Sequence, residues 1–155
     1  MQTDTLIIGG GLAGLALAAR LQAVGGDYLL VEARERFGGR IHTRVLAGLA
    51  SDLGPAWFWP GQPRMQALTE RSGLGVFEQF SSGYIVMEEP NGAVHRGMGY
   101  ASMAGSYRVA GGLGRIIDAL VDEVPEHRRR TGIKAVSLTA GELIHVDLET
   151  GDEQL

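Results

Sequence analysis

Cysteine is absent from this chain of 155 residues. The absence excludes structural disulfides, thiolate metal sites and a cysteine nucleophile within the chain. Proline and aromatic residues are few, at 5 prolines and 6% aromatics, and no apolar run is long enough to cross a bilayer. A chain of this length buries roughly 68–70% of the surface that its unfolded form exposes. We therefore expect one globular domain that folds without metal or disulfides.

A strong excess of either charge is also lacking, since 14 basic residues face 18 acidic ones and the net charge is only −4. The scattered arginines form no basic patch, so nucleic acid is not an expected partner. The four histidines have no metal-ligand spacing, which predicts no metal site. No basic residue precedes the apolar stretch 6–21 as it would in a secretion signal. We expect a cytoplasmic protein that binds no membrane, and nothing in the sequence indicates its oligomeric state.

Glycine, in contrast, is abundant, with 24 residues in the chain. This is more than twice the share of about 7% found in ordinary proteins. The glycines fall in separate clusters, at 9–14, 25–26, 38–39 and 111–114. Such clusters are typical of places where the backbone turns sharply or closely approaches a ligand.

The first cluster lies inside a predicted βαβ unit. An apolar run over Thr5 to Gly9 predicts a strand, and Leu12 to Val24 carries Ala and Leu at helical spacing before two glycines stop it. Tyr28 to Val31 is continuously apolar, as expected of a parallel strand buried on both faces. We expect a right-handed crossover with the helix on one face of the sheet.

The remaining chain predicts smaller elements. Residues 33–61 have no sustained period and are interpreted as an ordered loop region, and the basic run 128–130 is interpreted as a solvated loop or helix end. Periodicity and turn signals predict helices over Arg64 to Ser72 and Leu113 to Val124, a hairpin of Tyr84 to Met87 with Ala93 to Arg96, and a second hairpin of Ile133 to Leu138 with Leu143 to Leu148.

These elements predict an α/β fold: a Rossmann-type FAD/NAD(P)-binding domain with a parallel sheet and an added β-hairpin or meander. We expect a single domain with three consecutive parts. Residues 1–61 hold the nucleotide-binding βαβ unit and the following loop. Residues 62–108 form a small helix and hairpin insertion, and residues 109–155 return to the nucleotide-binding fold.

Gly9, Gly11 and Gly14 form G-x-G-x-x-G between the predicted strand and helix, and Glu32 ends the second strand. Gly9 permits the tight turn, Gly11 lets the backbone approach a pyrophosphate, and Gly14 lets helix and strand pack closely. The helix N-terminus, at Leu12 and Ala13, offers unpaired N–H groups to that pyrophosphate.

Glu32 is placed to accept hydrogen bonds from ribose hydroxyls and would repel the 2′-phosphate of NADP. Its position at a strand end predicts that its replacement affects ligand binding more than folding. Two alternatives remain open at this point. The glycines could form a turn that binds no ligand, and Glu32 could be a solvated strand-end carboxylate.

The run VEARERFGGRIHT, from Val31 to Thr43, resembles the start of the flavin-containing amine oxidases. This family includes the monoamine oxidases and is related to protoporphyrinogen oxidase and phytoene desaturase. The resemblance implies that FAD is the cofactor and that a glycine pair and an arginine wrap its pyrophosphate. Two glycines allow close backbone approach, and an arginine offers forked donors to phosphate oxygens. The FAD-binding residues implied by this run are Glu32, Ala33, Arg34, Gly38, Gly39 and Arg40.

The resemblance continues at Asp52, Leu53, Gly54 and Trp57, which are similar to the family segment beside the isoalloxazine ring. It implies flavin contact by Gly54, Pro55, Ala56 and Trp57, although aromatic residues 57–59 could equally be core. Gly111 and Gly112 resemble a structural segment leading back into the nucleotide-binding fold. Ile133 matches a strand whose backbone lies near the adenine.

The family pattern is matched only in part. Family members are longer and carry a lysine near the flavin and a second glycine segment that contacts FAD, whereas the single lysine here, Lys134, lies in the adenine-side strand. We therefore expect an N-terminal fragment that is inactive by itself, and we assign no catalytic residue. FAD would be held non-covalently, because no cysteine is available for a thioether.

The resemblance implies a flavin-dependent oxidoreductase that oxidises a small molecule, most simply an amine. Hydride equivalents would pass to FAD, and oxygen would reoxidise the flavin. Two alternatives remain. One is another FAD oxidoreductase of the same superfamily, such as a desaturase or a protoporphyrinogen oxidase-like enzyme, and the other is a non-catalytic nucleotide-binding module completed by a partner chain.

Overall fold

The computed structural model describes residues 2–97 and 103–150, which fall into two compact units. The first unit contains the residues up to Pro55 together with those from Gly111 onward, and the second is Ala56–Ala110. No helix within the described ranges is both long and apolar enough to cross a membrane. The elements of the first unit are β1 (Thr5–Ile8), α1 (Leu12–Ala23), β2 (Tyr28–Val31), β3 (Thr43–Leu46), β4 (Leu49–Asp52), α3 (Gly114–Glu123), a 3₁₀ turn (Glu126–Arg128), β9 (Arg129–Arg130), β10 (Ile133–Thr139) and β11 (His145–Thr150). Those of the second are α2 (Pro63–Arg71), β5 (Val76–Glu78), β6 (Ile85–Glu88), β7 (Val94–Gly97) and β8 (Tyr107–Val109).

A βαβ unit forms the centre of the first unit and confirms the predicted strand, helix and strand. β1 and β2 pair in parallel, from Thr5 opposite Tyr28 to Ile8 opposite Val31. All four side chains of β2 are buried. The connecting helix α1 buries Leu15 and two alanines and packs against α3, so small side chains let α1 lie close to its neighbours.

A third strand, β9, pairs in parallel with β2 and gives the sheet order β1-β2-β9. The interpretation of residues 128–130 as a loop or helix end is therefore wrong for Arg129 and Arg130, which form a strand, although the Arg130 side chain is exposed as expected. Strand pairing uses backbone groups, here the Glu32 N–H donating to the Arg130 carbonyl at 2.9 Å. Two polar side chains at a sheet edge do not prevent such pairing, and a two-residue strand has no period that the sequence could reveal.

Helix α3 and the β10–β11 hairpin follow the predictions closely. The apolar face of α3 buries Ile116, Ile117 and Leu120. β10 and β11 pair antiparallel, and Ile133, at the start of β10, packs with Leu29 and Val31 of β2. The fold class is thus α/β of Rossmann type, with a parallel sheet and added hairpins.

The β3–β4 hairpin corrects the prediction that residues 33–61 contain no regular structure. The hairpin pairs Thr43 with Asp52 through Leu46 with Leu49. Its two-residue turn has positive φ at both Ala47 (49°) and Gly48 (78°), as in a type I′ turn. Alanine at the first position removes the usual Asn-Gly or Asp-Gly signal, and mostly exposed strands show no apolar alternation.

The second unit contains the predicted helix, α2, and the predicted hairpin, β6–β7. It also contains an antiparallel pair, β5–β8, that three-residue strands leave unpredicted. Phe58 is buried and packs against Tyr107 with ring centroids 5.9 Å apart, whereas Trp57 and Trp59 are exposed. Of the aromatic cluster, only Phe58 is therefore core.

Candidate functional site

The glycine turn, residues 9–14, connects the end of β1 to the start of α1. Gly9 has a φ of +103°, which glycine adopts without steric cost, and its N–H donates to the Val31 carbonyl at 2.8 Å. A Cβ added to Gly14 would lie 2.0 Å from the Gly9 carbonyl oxygen. Helix and strand therefore approach each other at a distance that only glycine at position 14 permits.

Gly11 differs from these two glycines because the protein itself does not require it. Its φ of −76° suits any residue, and an added Cβ would meet no atom within 4 Å. Gly11 is the N-cap residue of α1 and supplies no side-chain cap, and no acid lies in the first turn of the helix. The N–H groups of Leu12 and Ala13 have no partner within the helix, and the positive end of the helix dipole lies at the same terminus. Gly11 also forms a parallel bridge with Gly38, so the glycine-pair loop lies beside this terminus.

Glu32 follows β2 and is 6% exposed. Its carboxylate accepts the Gly10 N–H at 2.8 Å and the Arg34 N–H at 2.9 Å, one on each oxygen. The alternative of a solvated carboxylate is wrong, because the chain after β2 folds back over Glu32. Each oxygen still has a second lone pair for a ligand hydroxyl. The expectation that replacing Glu32 affects folding little stays a prediction, and the two backbone donors that Glu32 satisfies argue against it.

Gly10 is a site residue that the fingerprint G-x-G-x-x-G does not identify. A Cβ at Gly10 would lie 2.3 Å from Phe37 Cδ1 and 3.1 Å from Glu32 Cβ. Any larger residue would displace the Phe37 ring. The run of three glycines at 9–11 contained this signal, but the sequence does not show which neighbour makes glycine necessary.

The glycine-pair loop, residues 37–41, lies against the glycine turn. The Gly38 N–H donates to the Gly10 carbonyl at 2.8 Å, and a Cβ at Gly39 would lie 3.4 Å from the Gly11 Cα. Both glycines of the pair have positive φ, +107° and +58°. The structure therefore brings the two predicted glycine segments together, and the exposed side chain of Arg40 follows them.

Arg36 is the second residue that sequence reasoning missed. Its guanidinium donates to the carbonyl oxygens of Phe37, Gly39 and Ile41 at 3.2, 3.0 and 3.3 Å. The pattern R-x-G-G-R contains this arginine, but spacing alone does not distinguish an arginine that binds the protein from one that binds a ligand.

The other predicted site residues lie at different distances from this centre. Ala33 and Arg34 are exposed directly after Glu32, and Ile133 donates its N–H to the Glu32 carbonyl at 2.9 Å while its side chain is core. A Cβ at Gly54 would lie 2.1 Å from the Arg40 carbonyl oxygen, which places Gly54 and the neighbouring Pro55 beside the end of the glycine-pair loop.

Ala56 and Trp57 belong to the second unit, where Trp57 is 45% exposed. Their assignment to the flavin stays a prediction.

The arrangement fits a dinucleotide. Helix N–H groups, the dipole of α1 and an exposed arginine suit a pyrophosphate, and a carboxylate at the end of β2 suits ribose hydroxyls. Gly11 bears most directly on the pyrophosphate, because neither packing nor φ requires glycine there and its Cβ position is open at the N-terminus of α1. The residues present therefore fit FAD.

Comparison with known proteins also relates this chain to flavin-containing proteins. Residues 12–101, more than half of the chain, match the family model of flavin containing amine oxidoreductases. A putrescine oxidase from Kocuria rosea is 31% identical over 126 residues, which are 80% of this chain and 26% of that protein. A nicotine dehydrogenase from Pseudomonas putida is 43% identical over 75 residues, 48% of this chain and 16% of that protein.

Among solved structures, cyclohexylamine oxidase from Brevibacterium oxydans superposes with a TM-score of 0.82 at 15% identity, covering 100% of this chain and 56% of that chain. At this identity the likeness shows the fold alone. The chain spans only 26% of the length of the putrescine oxidase that it matches.

Proposed function

Because the chain belongs to the family of flavin-containing amine oxidoreductases, we propose that it is the FAD-binding part of an oxidoreductase that oxidises an amine with oxygen as the final acceptor. Gly11 is the observation that carries the proposal, since its Cβ position opens onto free space at the N-terminus of α1. The name of the putrescine oxidase relative supports an amine as the substrate.

The residues of this chain bind and orient the cofactor in this proposal. The N-terminus of α1, at Leu12 and Ala13, together with the Arg40 side chain, holds the pyrophosphate. Glu32 binds the ribose hydroxyls of the adenosine half. When bound, FAD supplies the redox chemistry, accepting hydride equivalents from the carbon next to the amine nitrogen before oxygen reoxidises it.

The glycines allow a direct test of FAD binding in the complete gene product. Gly11→Ala should leave the circular dichroism spectrum unchanged and weaken FAD binding at least about tenfold, because a methyl group enters the space of the pyrophosphate. The measurement is a titration of flavin fluorescence. Gly97→Ala is the matched control, since Gly97 also has an ordinary φ and no atom within 4 Å of its Cβ position, yet it lies at the end of β7.

FAD affinity that is the same in wild type and in folded Gly11→Ala would contradict the proposed site. Gly14→Ala should differ from Gly11→Ala in its effect on folding, because its Cβ would lie 2.0 Å from the Gly9 carbonyl oxygen. We expect this variant to lose folded protein along with FAD binding.

The substrate and oxidant need a separate experiment. Primary, secondary and tertiary amines are added anaerobically to the FAD-loaded gene product, and bleaching of the flavin absorbance identifies a substrate. Admitting oxygen should restore the colour with formation of peroxide. Restoration only by another electron acceptor would indicate a dehydrogenase, as the name of the Pseudomonas putida relative would suggest. If only a porphyrinogen or a polyene bleaches the flavin, the protein is a different oxidoreductase of the superfamily. If the flavin is bleached only after a partner chain is added, the protein is a nucleotide-binding module that the partner completes.

We further propose that FAD is attached non-covalently to this chain, which contains no cysteine. Acid precipitation followed by protease digestion should yield no flavin-modified peptide from these 155 residues. A flavin-modified histidine peptide in the mass spectrum would overturn this part of the proposal.

A further inference from the structure

The Arg36 guanidinium binds backbone groups of the protein itself. It lies between three carbonyl oxygens of the glycine-pair loop, those of Phe37, Gly39 and Ile41, at 3.0 to 3.3 Å. Arg40, in contrast, is exposed and makes no side-chain hydrogen bond to any residue that the structure describes. The two arginines of R-x-G-G-R therefore have different surroundings despite their similar sequence context.

The bonds of Arg36 determine which way the loop peptides face. In a planar trans peptide the carbonyl and the N–H point in opposite directions. The Phe37 carbonyl accepts from Arg36, and the N–H of the same peptide, that of Gly38, donates to the Gly10 carbonyl at 2.8 Å. The Gly39 carbonyl also accepts from Arg36, so the Arg40 N–H points away from the guanidinium.

One N–H group of the loop, that of Arg40, is left available by the bonds of Arg36. Within residues 2–97 and 103–150, the Arg40 N–H donates no hydrogen bond. The preceding peptide is held in a different way, because its carbonyl, that of Gly38, accepts the Ile41 N–H at 3.0 Å. Gly39 has a φ of +58°, and N–H groups in a turn of this kind form anion-binding arrangements. Gly39 also lies against Gly11, at the N-terminus of α1.

We propose that Arg36 is a positioning residue that turns the Arg40 N–H toward the pyrophosphate of FAD without touching FAD itself. The inference deepens the proposed function and rests on it. Two adjacent glycines with positive φ have more conformational freedom than any other dipeptide, so this loop needs an external constraint. The planar fork of an arginine can bind several carbonyls in one geometry, which the single ammonium of a lysine cannot reproduce.

The test compares Arg36→Lys and Arg36→Ala with Arg40→Lys and Arg40→Ala in the complete gene product. FAD affinity is measured at low and high salt, and the melting temperature of the FAD-free protein is measured for each variant. Arg20→Ala, at an exposed position on α1, is the control for loss of one positive charge. A further arm adds millimolar guanidinium ion to Arg36→Ala, to refill the space between the carbonyls.

Both Arg36 variants should bind FAD about ten- to a hundredfold more weakly than wild type. The salt dependence of their FAD affinity should remain parallel to that of wild type, because no charge that faces the phosphates has been removed. Guanidinium ion should restore part of the affinity of Arg36→Ala. Arg40→Ala should flatten the salt dependence, and Arg40→Lys should retain most of it.

Three results would overturn the inference. If Arg36→Lys binds FAD normally while Arg36→Ala has a flatter salt dependence, Arg36 is itself a phosphate ligand. If the Arg36 variants melt at a lower temperature but bind FAD with wild-type affinity, Arg36 serves the fold alone. If wild type does not bind FAD, the proposed function fails and this inference fails with it. If wild type and both Arg36 variants bind FAD equally well, only the inference fails.

Discussion

Glu32 shows how one carboxylate can serve both the fold and the ligand site. Its two oxygens each accept a backbone N–H, from Gly10 in the glycine turn and from Arg34 after β2. These bonds hold the glycine turn against the end of β2, where the residue is buried. A ribose hydroxyl would use the remaining lone pairs of the same oxygens. Ligand binding and local stability are therefore coupled at this residue.

Replacing Glu32 with Gln should weaken both properties. The amide keeps one acceptor oxygen but presents an NH₂ group to the second backbone donor, and an unpaired buried donor costs about 1–3 kcal/mol. We expect a lower free energy of unfolding in urea and an FAD affinity reduced about ten- to a hundredfold. Asp122→Asn, which removes an exposed carboxylate on α3, should change neither quantity. Wild-type stability in Glu32→Gln would show that water satisfies the backbone donors.

Helix α3 shows how one element depends on another that is distant in the sequence. Leu113, at its N-cap position, has an apolar side chain, and no cap comes from this residue. Thr43 of β3 accepts the Gly114 N–H at 2.8 Å, and Asp52 of β4 accepts the Leu113 N–H at 3.0 Å. The Thr43 hydroxyl also donates to Asp52. The β3–β4 hairpin thus caps the helix that follows the second unit in the chain.

Thr43→Val should therefore destabilise α3 although it preserves the shape of the side chain and favours a strand. Loss of a cap costs about 0.5–2 kcal/mol, and the change should appear as a lower free energy of unfolding in urea. Thr43→Ser, which keeps the hydroxyl, should retain most of the wild-type free energy of unfolding. Thr139→Val, at the exposed end of β10, is the matched control and should stay within about 0.5 kcal/mol of wild type. Equal stability of Thr43→Val and this control would refute the role of the cap.

The opposite end of β2 contains an ion pair that gives a pH-dependent contribution to stability. The Arg128 guanidinium, together with the Asp4 N–H and the Thr3 hydroxyl, holds the pKa of the Asp27 carboxyl below its ordinary value of 3.8. A lowered pKa in the folded state means that the stabilisation is present above the unfolded-state pKa. It is lost as the pH falls below about 3.8 and through the folded-state pKa.

Arg128→Gln should raise the Asp27 pKa toward 3.8. The pKa is measured by NMR titration of the carboxyl carbon, and the melting temperature is followed over the same acid range. Wild type should lose more stability than Arg128→Gln as the pH falls, since the variant has less of this contribution to lose. Arg20→Gln is the control. An Asp27 pKa that does not move in Arg128→Gln would assign the lowering to the two other donors.

On the scale of the whole molecule, the two units bury very different surfaces. The first contains the buried β2 and the apolar faces of α1 and α3. Both units expose apolar side chains, but of its apolar side chains the second buries, in its described part, only those of Phe58 and Val109 and exposes, among others, Val76, Phe77, Phe80, Tyr84, Ile85, Val86, Met87 and Val94. The family to which the chain belongs contains longer proteins, and the chain covers 56% of the solved cyclohexylamine oxidase. We therefore expect cofactor binding and turnover to be separable in these 155 residues.

The 155-residue chain by itself should bind FAD weakly and show no amine oxidase turnover. An open flavin site admits water, whereas turnover in such enzymes benefits from its exclusion. Peroxide formation from a panel of amines, measured with and without added FAD, checks this expectation. FAD-dependent peroxide production above the rate of free FAD would show that the chain is a sufficient catalyst.

The sequence by itself determined the βαβ unit, the helix faces and the main glycine positions. These features depend on local rules: apolar period, glycine at a turn, and a carboxylate at a strand end. Gly14 illustrates this, since the spacing G-x-G-x-x-G predicted the close packing that the 2.0 Å Cβ distance to Gly9 now shows.

Only the tertiary structure decided what each polar side chain contacts. Arg36 and Arg40 are four positions apart and chemically identical, yet one binds three carbonyls and the other is exposed. Thr43 caps a helix 71 residues later, and β9 exists because its backbone meets the edge of β2. The physical reason is the same in each case. The partner of a hydrogen-bonding group is set by which chain segments meet in space, and short polar segments carry no period that reveals it.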